Sequence, residues 1–429
     1  MPRPRLPSPS SNSQSGVAAL NRYRANPRLL PILLAGLAML GPFSIDTFFP
    51  AFGRMERQFA IGAVAMQQTL SIYLGAFAVM SLLHGPLSDA YGRRGVIFYA
   101  LLLYLCATIG CALAPDFHWL LAFRMVQGMS AGAGVIVGRA IIRDRYSGAD
   151  AQRLMSQVTL IFGAAPALAP MVGGWILYFA DWRWIFWALA GFTVVLLLIS
   201  LLALPETHPR QRRTPLDWRH LHRTYRAIAG DARFVLLAAA ASFNFGALFL
   251  YIAAAPVVVL GLLHLNERQF PWLFLPTIGG MTLGAGLSGR LAGRFTPVRT
   301  VTLGYALIFG GAALALILNS FLEPAVPWFV LPIGVGGMGV SLAFPTLTLL
   351  MLDRFPVVRG AAASVQAAMS IAVSTLVGGL LSPLASRDGM SLALGSLALS
   401  GCGLVSWLLY RRITPHIALE VPPGEGLRG

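Results

Sequence analysis

The chain is 429 residues long, 56% of them apolar and 11% charged, with 32 basic against 16 acidic side chains. A soluble domain carries about 25% charged residues, so this composition excludes an ordinary globular protein and favours one that lies in a membrane. Every basic residue is an arginine, and the arginines are spread between apolar runs. This distribution disfavours a nucleic-acid-binding domain, which would gather them on one polar face.

Apolar runs of about 20 residues, the length that carries a helix across a bilayer, recur along the whole chain. In chain order they predict spans at 29–52, 66–86, 96–114, 119–142, 154–177, 184–204, 236–262, 270–290, 299–318, 326–350, 360–384 and 391–410. The only long polar interval among them divides the spans six and six. We therefore predict an all-α membrane protein of twelve transmembrane helices, with halves at 29–204 and 233–412 and a linker at 205–232.

The two ends of the chain are predicted to be cytoplasmic tails. Residues 1–28 are rich in Arg, Ser and Pro, as organellar transit peptides are, but no apolar segment of signal-peptide form follows. A disordered tail is therefore favoured there, and residues 413–429 are expected to form a second tail.

The linker leaves two interpretations open. One is an amphipathic helix on the membrane surface, with its arginines toward anionic lipid, because apolar side chains recur at helical spacing at Leu216, Trp218, Leu221, Tyr225 and Ile228. The other is a flexible tether.

The arginines divide unequally between the two ends of the predicted spans. With the N-terminus inside, the outer loops hold only Arg54, Arg57, Arg183, Arg268 and Arg387. Because cytoplasmic loops are enriched in basic residues, this asymmetry predicts that both termini are cytoplasmic.

The spacing Gly-x6-Gly-Arg occurs at 85–93 and again at 286–294, in corresponding places of the two halves. Such a repeat predicts parallel halves with a substrate site between them. The segment at 85–94 resembles the loop signature of the major facilitator superfamily, except for Ala90, where a basic residue is usual. The resemblance implies a cytoplasmic gate motif formed by Gly85, Asp89, Gly92, Arg93 and Arg94.

Asp89 is the residue of this motif with the clearest physical role. We expect its carboxylate to accept hydrogen bonds from backbone N–H groups at the start of the eleventh span, near 359–361, and to pair with Arg93 or Arg143. These contacts would latch the two halves together on the inside. The alternative is a topology signal combined with a tight turn.

Other segments resemble the Bcr/CflA branch of that superfamily, the bicyclomycin and chloramphenicol exporters. They are Ile45-Asp46-Thr47-Phe48-Phe49-Pro50-Ala51, Arg124-Met125-Val126-Gln127-Gly128, Arg139-Ala140-Ile141-Ile142-Arg143-Asp144 and Leu204-Pro205-Glu206-Thr207. The segment at 166–174 is similar to the fifth-helix antiporter motif, with Ala169 in place of its usual Gly. The resemblance covers about residues 29 to 412.

The antiporter-like segment removes both side-chain bulk and backbone donors from one span, at Pro166, Pro170, Gly173 and Gly174. Small residues allow close helix approach, and prolines allow a kink. We expect a hinge and a seal against proton leak, as the resemblance implies. Packing alone is the alternative.

Asp46 and Arg124 are the charged residues placed well inside predicted spans. A charge at the bilayer centre costs about 2.5–3.5 kcal/mol on insertion scales, so such residues are functional candidates. Both lie in the outer third of their spans, and this shared depth permits a pair in which each compensates the burial of the other. The second half has no embedded carboxylate, so we expect proton coupling at Asp46 and Arg124. A fixed structural pair is the alternative.

Polar side chains elsewhere in the spans predict a mostly apolar substrate cavity with a few orienting groups, at Tyr73, Gln127, Asn244 and Gln366. Simple helix contacts are the alternative for each. His84, next to the gate motif, is expected to be an interface residue rather than a proton relay.

These features together predict proton-coupled efflux of small amphiphilic compounds by two rocking halves in a bacterial inner membrane. A proton-coupled uptake symporter of the same fold is the main rival. A membrane enzyme, a receptor or an ATP-driven pump is disfavoured, because the chain has no Walker, HExxH or GxSxG motif and its three cysteines lack metal-ligand spacing. We expect no cofactor and no metal, with the proton gradient as energy source. The expected partners are a small-molecule substrate and membrane lipid, with no nucleic acid, and we expect a monomer.

Overall fold

The computed structural model describes residues 29–146, 148–291, 294–355 and 358–414, and within 148–164 it describes the side chains of Leu154 and Val158 alone. The predicted tail at 1–28 and nearly all of that at 413–429 lie outside the described residues, as does Gly293 of the repeated spacing. Within the described ranges the chain is almost entirely helical.

The first half consists of helices joined by short connections. Their bounds are α1 Leu29–Asp46, α2 Phe52–Phe59, α3 Ala63–Tyr91, α4 Arg93–Leu113, α5 Phe117–Arg145, α6 Gly148–Phe179 and α7 Arg183–Ala203. A turn of 3-10 helix at Phe49–Ala51 connects α1 to α2. Aspartate caps begin several helices of the chain; Asp116, for example, accepts hydrogen bonds from the backbone N–H groups of His118 and Trp119 at the start of α5.

The linker and the second half follow. Their helices are α8 Trp218–Gly230, α9 Ala232–Ala253, α10 Pro271–Leu291, α11 Pro297–Phe321, α12 Leu331–Asp353, α13 Arg359–Leu376, α14 Ser382–Ala385 and α15 Gly389–Ile413. Short π-helical segments follow α9 at Val257–Leu262 and α13 at Val377–Leu381.

Ten helical segments among the described residues are long and apolar enough to cross a membrane. They include α1 with its continuation into α2, α13 with its continuation into α14, and every other long helix except α6 and α10. The chain is thus an all-α, multi-pass membrane protein, as its composition predicts.

Two predicted boundaries differ from the structure. The first predicted span runs unbroken over 29–52, but α1 ends at Asp46 and the chain turns before Pro50, which lies in the short 3-10 segment. The gate motif is predicted in a loop, but its residues up to Tyr91 form the last turns of α3. Only Gly92 separates α3 from α4, at a φ of 96° that glycine adopts without strain.

The linker contains α8, which favours the helix over the flexible tether. Its apolar side chains pack on protein: Ile228 is fully buried in the core of the second half, and Tyr225 bonds to α3. Trp218 at its start is 56% exposed.

The two halves meet along α3 and α13, and along α6 and α10. A large apolar core includes residues of both halves, such as Leu70 and Tyr73 on α3 and Val377 after α13. A second core lies within the second half and receives the half-buried side chain of Leu82 from α3. We call the end of the bundle that carries Asp89 and Arg93 the motif end.

Candidate functional site

The candidate site begins where α1 ends, at Asp46. This side chain is 2% exposed, and among the described residues it is the only buried carboxylate. Its Oδ1 atom finds no hydrogen-bond partner in the protein. Buried polar atoms are nearly always paired, so an unpaired buried carboxylate oxygen makes Asp46 a candidate functional residue.

Arg124, on α5, is fully buried, and oxygen atoms of the protein accept hydrogen bonds from its guanidinium. Its Nη1 donates to the carbonyl of Ser44 at 2.9 Å and to Oε1 of Gln127 at 2.7 Å. Its Nε donates to the carbonyl of Thr69 on α3 at 3.4 Å. Three helices therefore hold the guanidinium in one orientation, which the planar fork of arginine suits better than a lysine ammonium would.

Two aromatic rings complete the environment of Arg124. The guanidinium carbon lies 4.4 Å from the ring centre of Phe48 and 4.5 Å from that of Tyr73. Cation–π contacts of this kind stabilise a desolvated cation by about 2 kcal/mol. The arginine can therefore remain charged in the interior without a carboxylate partner.

In this conformation Asp46 and Arg124 do not form the pair that their shared depth permits. Both residues are described, yet neither a hydrogen bond nor a salt bridge joins them, and Nη2 of Arg124 is buried without a partner. The guanidinium is instead held through Nε and Nη1, which donate to the carbonyls of Thr69 and Ser44 and to Gln127. The hydroxyl of Tyr73, whose ring lies against Arg124, is also buried without a hydrogen-bond partner.

Gln127 supports Arg124 rather than facing an open space. It is fully buried, and its Nε2 donates to Oγ1 of Thr108 on α4 at 2.8 Å, while its Oε1 accepts from Arg124. The structure thus brings Tyr73 and Gln127 together around Arg124. Whether either touches substrate stays a prediction.

The other two predicted cavity residues lie in the second half, apart from this cluster. The side chain of Asn244 on α9 packs against α15, where a Cβ added to Gly403 would be 2.4 Å from its Oδ1. Nε2 of Gln366 on α13 donates to Oγ1 of Thr348 on α12 at 3.0 Å. Both are buried contacts between helices of one half.

At the motif end, Arg93 is the centre of a polar network. Its guanidinium donates to Asp89, to Oγ of Ser88 and, from Nε at 3.1 Å, to Oδ2 of Asp144 on α5. Its backbone N–H donates to Oε1 of Glu206 at 3.0 Å. The side chain of Arg93 is only 8% exposed, which distinguishes it from an ordinary surface ion pair.

This network corrects the expected role of Asp89. Its recorded side-chain partner is Arg93, as one alternative predicted, but no hydrogen bond reaches the described start of α13 at Arg359. The motif therefore braces the first half internally in this conformation. At Gly92 a Cβ would be 2.4 Å from Oε2 of Glu206, so a larger residue would displace this carboxylate. Gly85 has open space around it, and Arg94 donates to the carbonyl of Leu201 at 3.0 Å.

The antiporter-like segment lies in α6, which continues through Pro166 and Pro170. Both of its glycines stand against backbone. A Cβ at Gly173 would be 1.8 Å from the carbonyl oxygen of Thr47, and one at Gly174 would be 2.3 Å from that of Glu267. Gly173 thus packs α6 against the end of α1, and Gly174 packs it against the second half.

The end opposite the motif end joins the halves through an ion pair. Nε and Nη2 of Arg54 on α2 donate to the two carboxylate oxygens of Glu267, at 3.1 and 2.7 Å. The adjoining Arg268 lies over the ring of Tyr178, 3.6 Å from its centre. These residues line a cleft of about 470 Å³ between the halves.

The partners in these networks are not evident from the sequence. Asp144 and Glu206 stand in family-like segments without an assigned role, and Arg54 and Glu267 look like ordinary loop residues. The sequence shows that charged residues recur at the ends of the spans. It does not show which of them pair, because the partners are far apart in the chain and are brought together only by the packing of the helices.

A search among known protein families matches residues 32–383 to the Major Facilitator Superfamily. The bicyclomycin resistance protein homolog of Haemophilus influenzae is 26% identical over 392 residues, 89% of this chain and 95% of that protein. The chloramphenicol resistance protein of Pseudomonas aeruginosa is 26% identical over 358 residues, 83% of this chain and 84% of that protein.

Among solved structures, a bacterial homolog of the human lysosomal transporter Spinster matches with a TM-score of 0.68 at 14% identity, over 94% of this chain and all of that one. At this identity the match shows the fold alone. The family and these named relatives indicate a transporter rather than an enzyme, and they confirm the resemblance seen in the motifs. The chain belongs to the major facilitator superfamily, with relatives consistent with its Bcr/CflA drug-exporter branch.

Proposed function

We propose that this protein exports small amphiphilic compounds across the bacterial inner membrane in exchange for protons. The observation that carries the proposal is the buried carboxylate of Asp46, whose Oδ1 has no hydrogen-bond partner and which follows Ser44, the residue whose carbonyl accepts from the buried Arg124. A carboxylate in this position changes charge inside the membrane when it binds a proton. The relatives of this protein that are named for bicyclomycin and chloramphenicol resistance support a drug-like substrate.

The coupling follows from electrostatics. When Asp46 is ionised, its charge and that of Arg124 balance within one buried region, although the two do not touch. When Asp46 is protonated, this buried region carries a net positive charge, that of the Arg124 guanidinium, which lies over the rings of Phe48 and Tyr73. Because desolvated charges interact strongly, the two protonation states favour different arrangements of the helices around Arg124, namely α1, α3 and α5.

The contacts between halves support alternating access. In this conformation the halves are tied at the end opposite the motif end, by Arg54 with Glu267 and by Nε2 of Gln68 with the carbonyl of Gly379 at 3.2 Å. We propose that these ties break when that end opens. The substrate then binds between the halves and leaves on the other side, with the proton gradient as the energy source and without a cofactor.

We further propose twelve spans, with α6 and α10 added to the ten apolar segments. The motif end, which carries Arg93, Arg94, Arg143 and Arg145 among others, would face the cytoplasm by the positive-inside rule. Both termini would then be cytoplasmic. We propose that one chain in contact with membrane lipid is sufficient for transport.

The experiment that tests the proposed function is a susceptibility screen. The protein is expressed in a bacterial strain lacking its own drug pumps, beside the Asp46→Asn variant at equal membrane abundance. We expect raised resistance to at least one amphiphilic antibiotic with the natural protein and none with the variant. Raised sensitivity would instead indicate uptake, and equal resistance with both proteins would remove the role of Asp46.

A further inference from the structure

Pro86 leaves an acceptor free on α3. The helix continues through this proline up to Tyr91. Because proline has no N–H, the carbonyl of Leu82, four residues earlier, lacks its usual donor. A carbonyl left in this way inside a helix is commonly satisfied by a neighbouring side chain or by water.

A residue of the linker helix supplies the missing donor. The hydroxyl of Tyr225 on α8 donates to the carbonyl of Leu82 at 2.7 Å. Burial, and to a lesser extent the charge of Asp89, raises the pKa of Tyr225 to about 12. The phenol therefore keeps its proton, and remains a donor, throughout the physiological range.

The helix that carries Tyr225 is fixed to the second half. Ile228, further along α8, is fully buried in the core of that half. Immediately afterwards Asp231 caps α9 by accepting from the N–H of Phe234 at 2.8 Å, and it accepts from Nη2 of Arg354 at 2.6 Å. Leu82, by contrast, belongs to the first half.

The bond from Tyr225 therefore joins the two halves. Among the hydrogen bonds that the described residues form between the halves, it is the one at the motif end; the others, from Arg54 and Gln68, lie at the opposite end. Leu82 reinforces it, because its side chain packs on the core of the second half.

We propose that Tyr225 and the carbonyl freed by Pro86 form a latch that ties the linker helix to the first half and controls the movement of the halves. Tyr225 is a positioning residue in this account, since it acts through the backbone of α3 and touches no substrate. Only the expected effect of the latch on transport rests on the proposed function. Its existence can be measured without substrate or proton gradient.

The test is a double-mutant comparison read by amide hydrogen exchange of the peptide covering α8. Tyr225→Phe removes only the hydroxyl and should speed exchange in α8 by about threefold to tenfold, the loss of one net hydrogen bond. Pro86→Ala restores an N–H that competes for the Leu82 carbonyl. In that background, Tyr225→Phe should have little further effect. Tyr99→Phe, at a 70% exposed tyrosine of α4, is the matched control.

Two results would overturn the latch. One is exchange in α8 that is unchanged by Tyr225→Phe. The other is a Tyr225→Phe effect of the same size in the natural protein and in the Pro86→Ala background, which would show that the hydroxyl acts independently of the carbonyl freed by Pro86. Because neither measurement uses transport, failure of the latch is distinguishable from failure of proton coupling. If the latch is present and the screen has supplied a substrate, Tyr225→Phe should also change the transport rate by a similar factor.

Discussion

Arg124 can stay charged in the interior because protein groups replace its hydration. It donates to two backbone carbonyls and to Gln127, and two aromatic rings have their centres within 4.5 Å of the guanidinium carbon. This arrangement leaves Asp46 free of a fixed partner. A carboxylate that is not committed to a salt bridge is better suited to gain and lose a proton than one held in a permanent pair.

We expect replacement of Arg124 to be severe even when the charge is kept. Arg124→Lys cannot reach the carbonyls of Ser44 and Thr69 and the Gln127 amide oxygen together, so it should lower transport at least about tenfold, since hydrogen bonds to charged groups contribute about 1.5–3 kcal/mol each. Arg124→Ala should be worse. Transport at equal membrane abundance is the measurement, with the exposed Arg412→Lys as control; wild-type rates for Arg124→Lys would show that the fork geometry is unimportant.

The motif end allows a ranking of two further substitutions. Asp89 has a 45% exposed side chain and a single recorded partner, so Asp89→Asn should lower transport only a few-fold and leave the protein folded. Arg93→Ala removes the common partner of Asp89 and Asp144 and should lower transport at least about tenfold. Ala90→Arg should be tolerated. Transport rates and the yield of folded protein measure these effects, and an Asp89→Asn defect larger than that of Arg93→Ala would contradict the network.

At the scale of helices, α6 is the element whose packing is least tolerant. Gly173 and Gly174 are adjacent in sequence and therefore point in different directions, one toward the backbone of Thr47 and the other toward that of Glu267. These two glycines thus allow α6 to pack closely against the first half and the second half at the same place. This gives a physical reason for a seal at the end opposite the motif end.

Bulky replacements in α6 should stop transport. Gly173→Leu and Gly174→Leu would force α6 away from backbone atoms, which cannot yield as a flexible side chain can, so we expect loss of at least about nine-tenths of activity. Gly191→Leu on α7 is the control, since nothing lies within 4 Å of a Cβ there. Normal export by both α6 variants would remove the seal and the hinge from the account.

The sequence predicts the elements well and their partners poorly. Apolar periodicity locates the helices, because a span must be apolar over about 20 residues whatever its neighbours are. It does not by itself place the end of α1 at Asp46, although Pro50, which has no N–H to donate to the carbonyl of Asp46, is a local signal for a break there. Asn244 is recognisable because it is polar within a span, but its contact with Gly403 depends on how α9 and α15 meet, and its role as a cavity residue stays a prediction.

The site residues show the same division. Asp46 and Arg124 are recognisable because a buried charge is costly anywhere in a span. The absence of a salt bridge between them is not recognisable, because it depends on how α1, α3 and α5 pack. The linker helix is visible in its apolar spacing, but its docking depends on a carbonyl freed by Pro86, on a different helix.

At the scale of the whole molecule, the orientation in the membrane can be tested directly. Reporters fused at Met1, at Gly429 and in the linker before Trp218 should be active only in the cytoplasm. A reporter inserted in the connection between His264 and Gln269, beside the Arg54–Glu267 ion pair, should be active only outside. The positive-inside distribution of arginines is the reason. Outside activity for either terminus would invert the proposed topology or change the number of spans.

The whole molecule also has two sets of ties between its halves, at opposite ends. The bidentate pair of Arg54 with Glu267 closes one end, and Tyr225 with Leu82 spans the other. Transport requires the halves to move, so these ties must differ in strength between conformations. The energy that drives the change is proposed to enter at Asp46, which lies toward the end opposite the motif end.

The most direct test of that claim is transport by purified protein in lipid vesicles with an imposed pH gradient, using a compound identified by the susceptibility screen. Asp46→Asn keeps the shape of the side chain but cannot exchange a proton, and Asp353→Asn, at an exposed aspartate, is the control. We predict that the Asp46→Asn protein still binds the compound but gains nothing from the gradient, while the control transports normally. Gradient-driven transport by Asp46→Asn at the wild-type rate would contradict the proposed coupling and leave Asp46 as a structural residue.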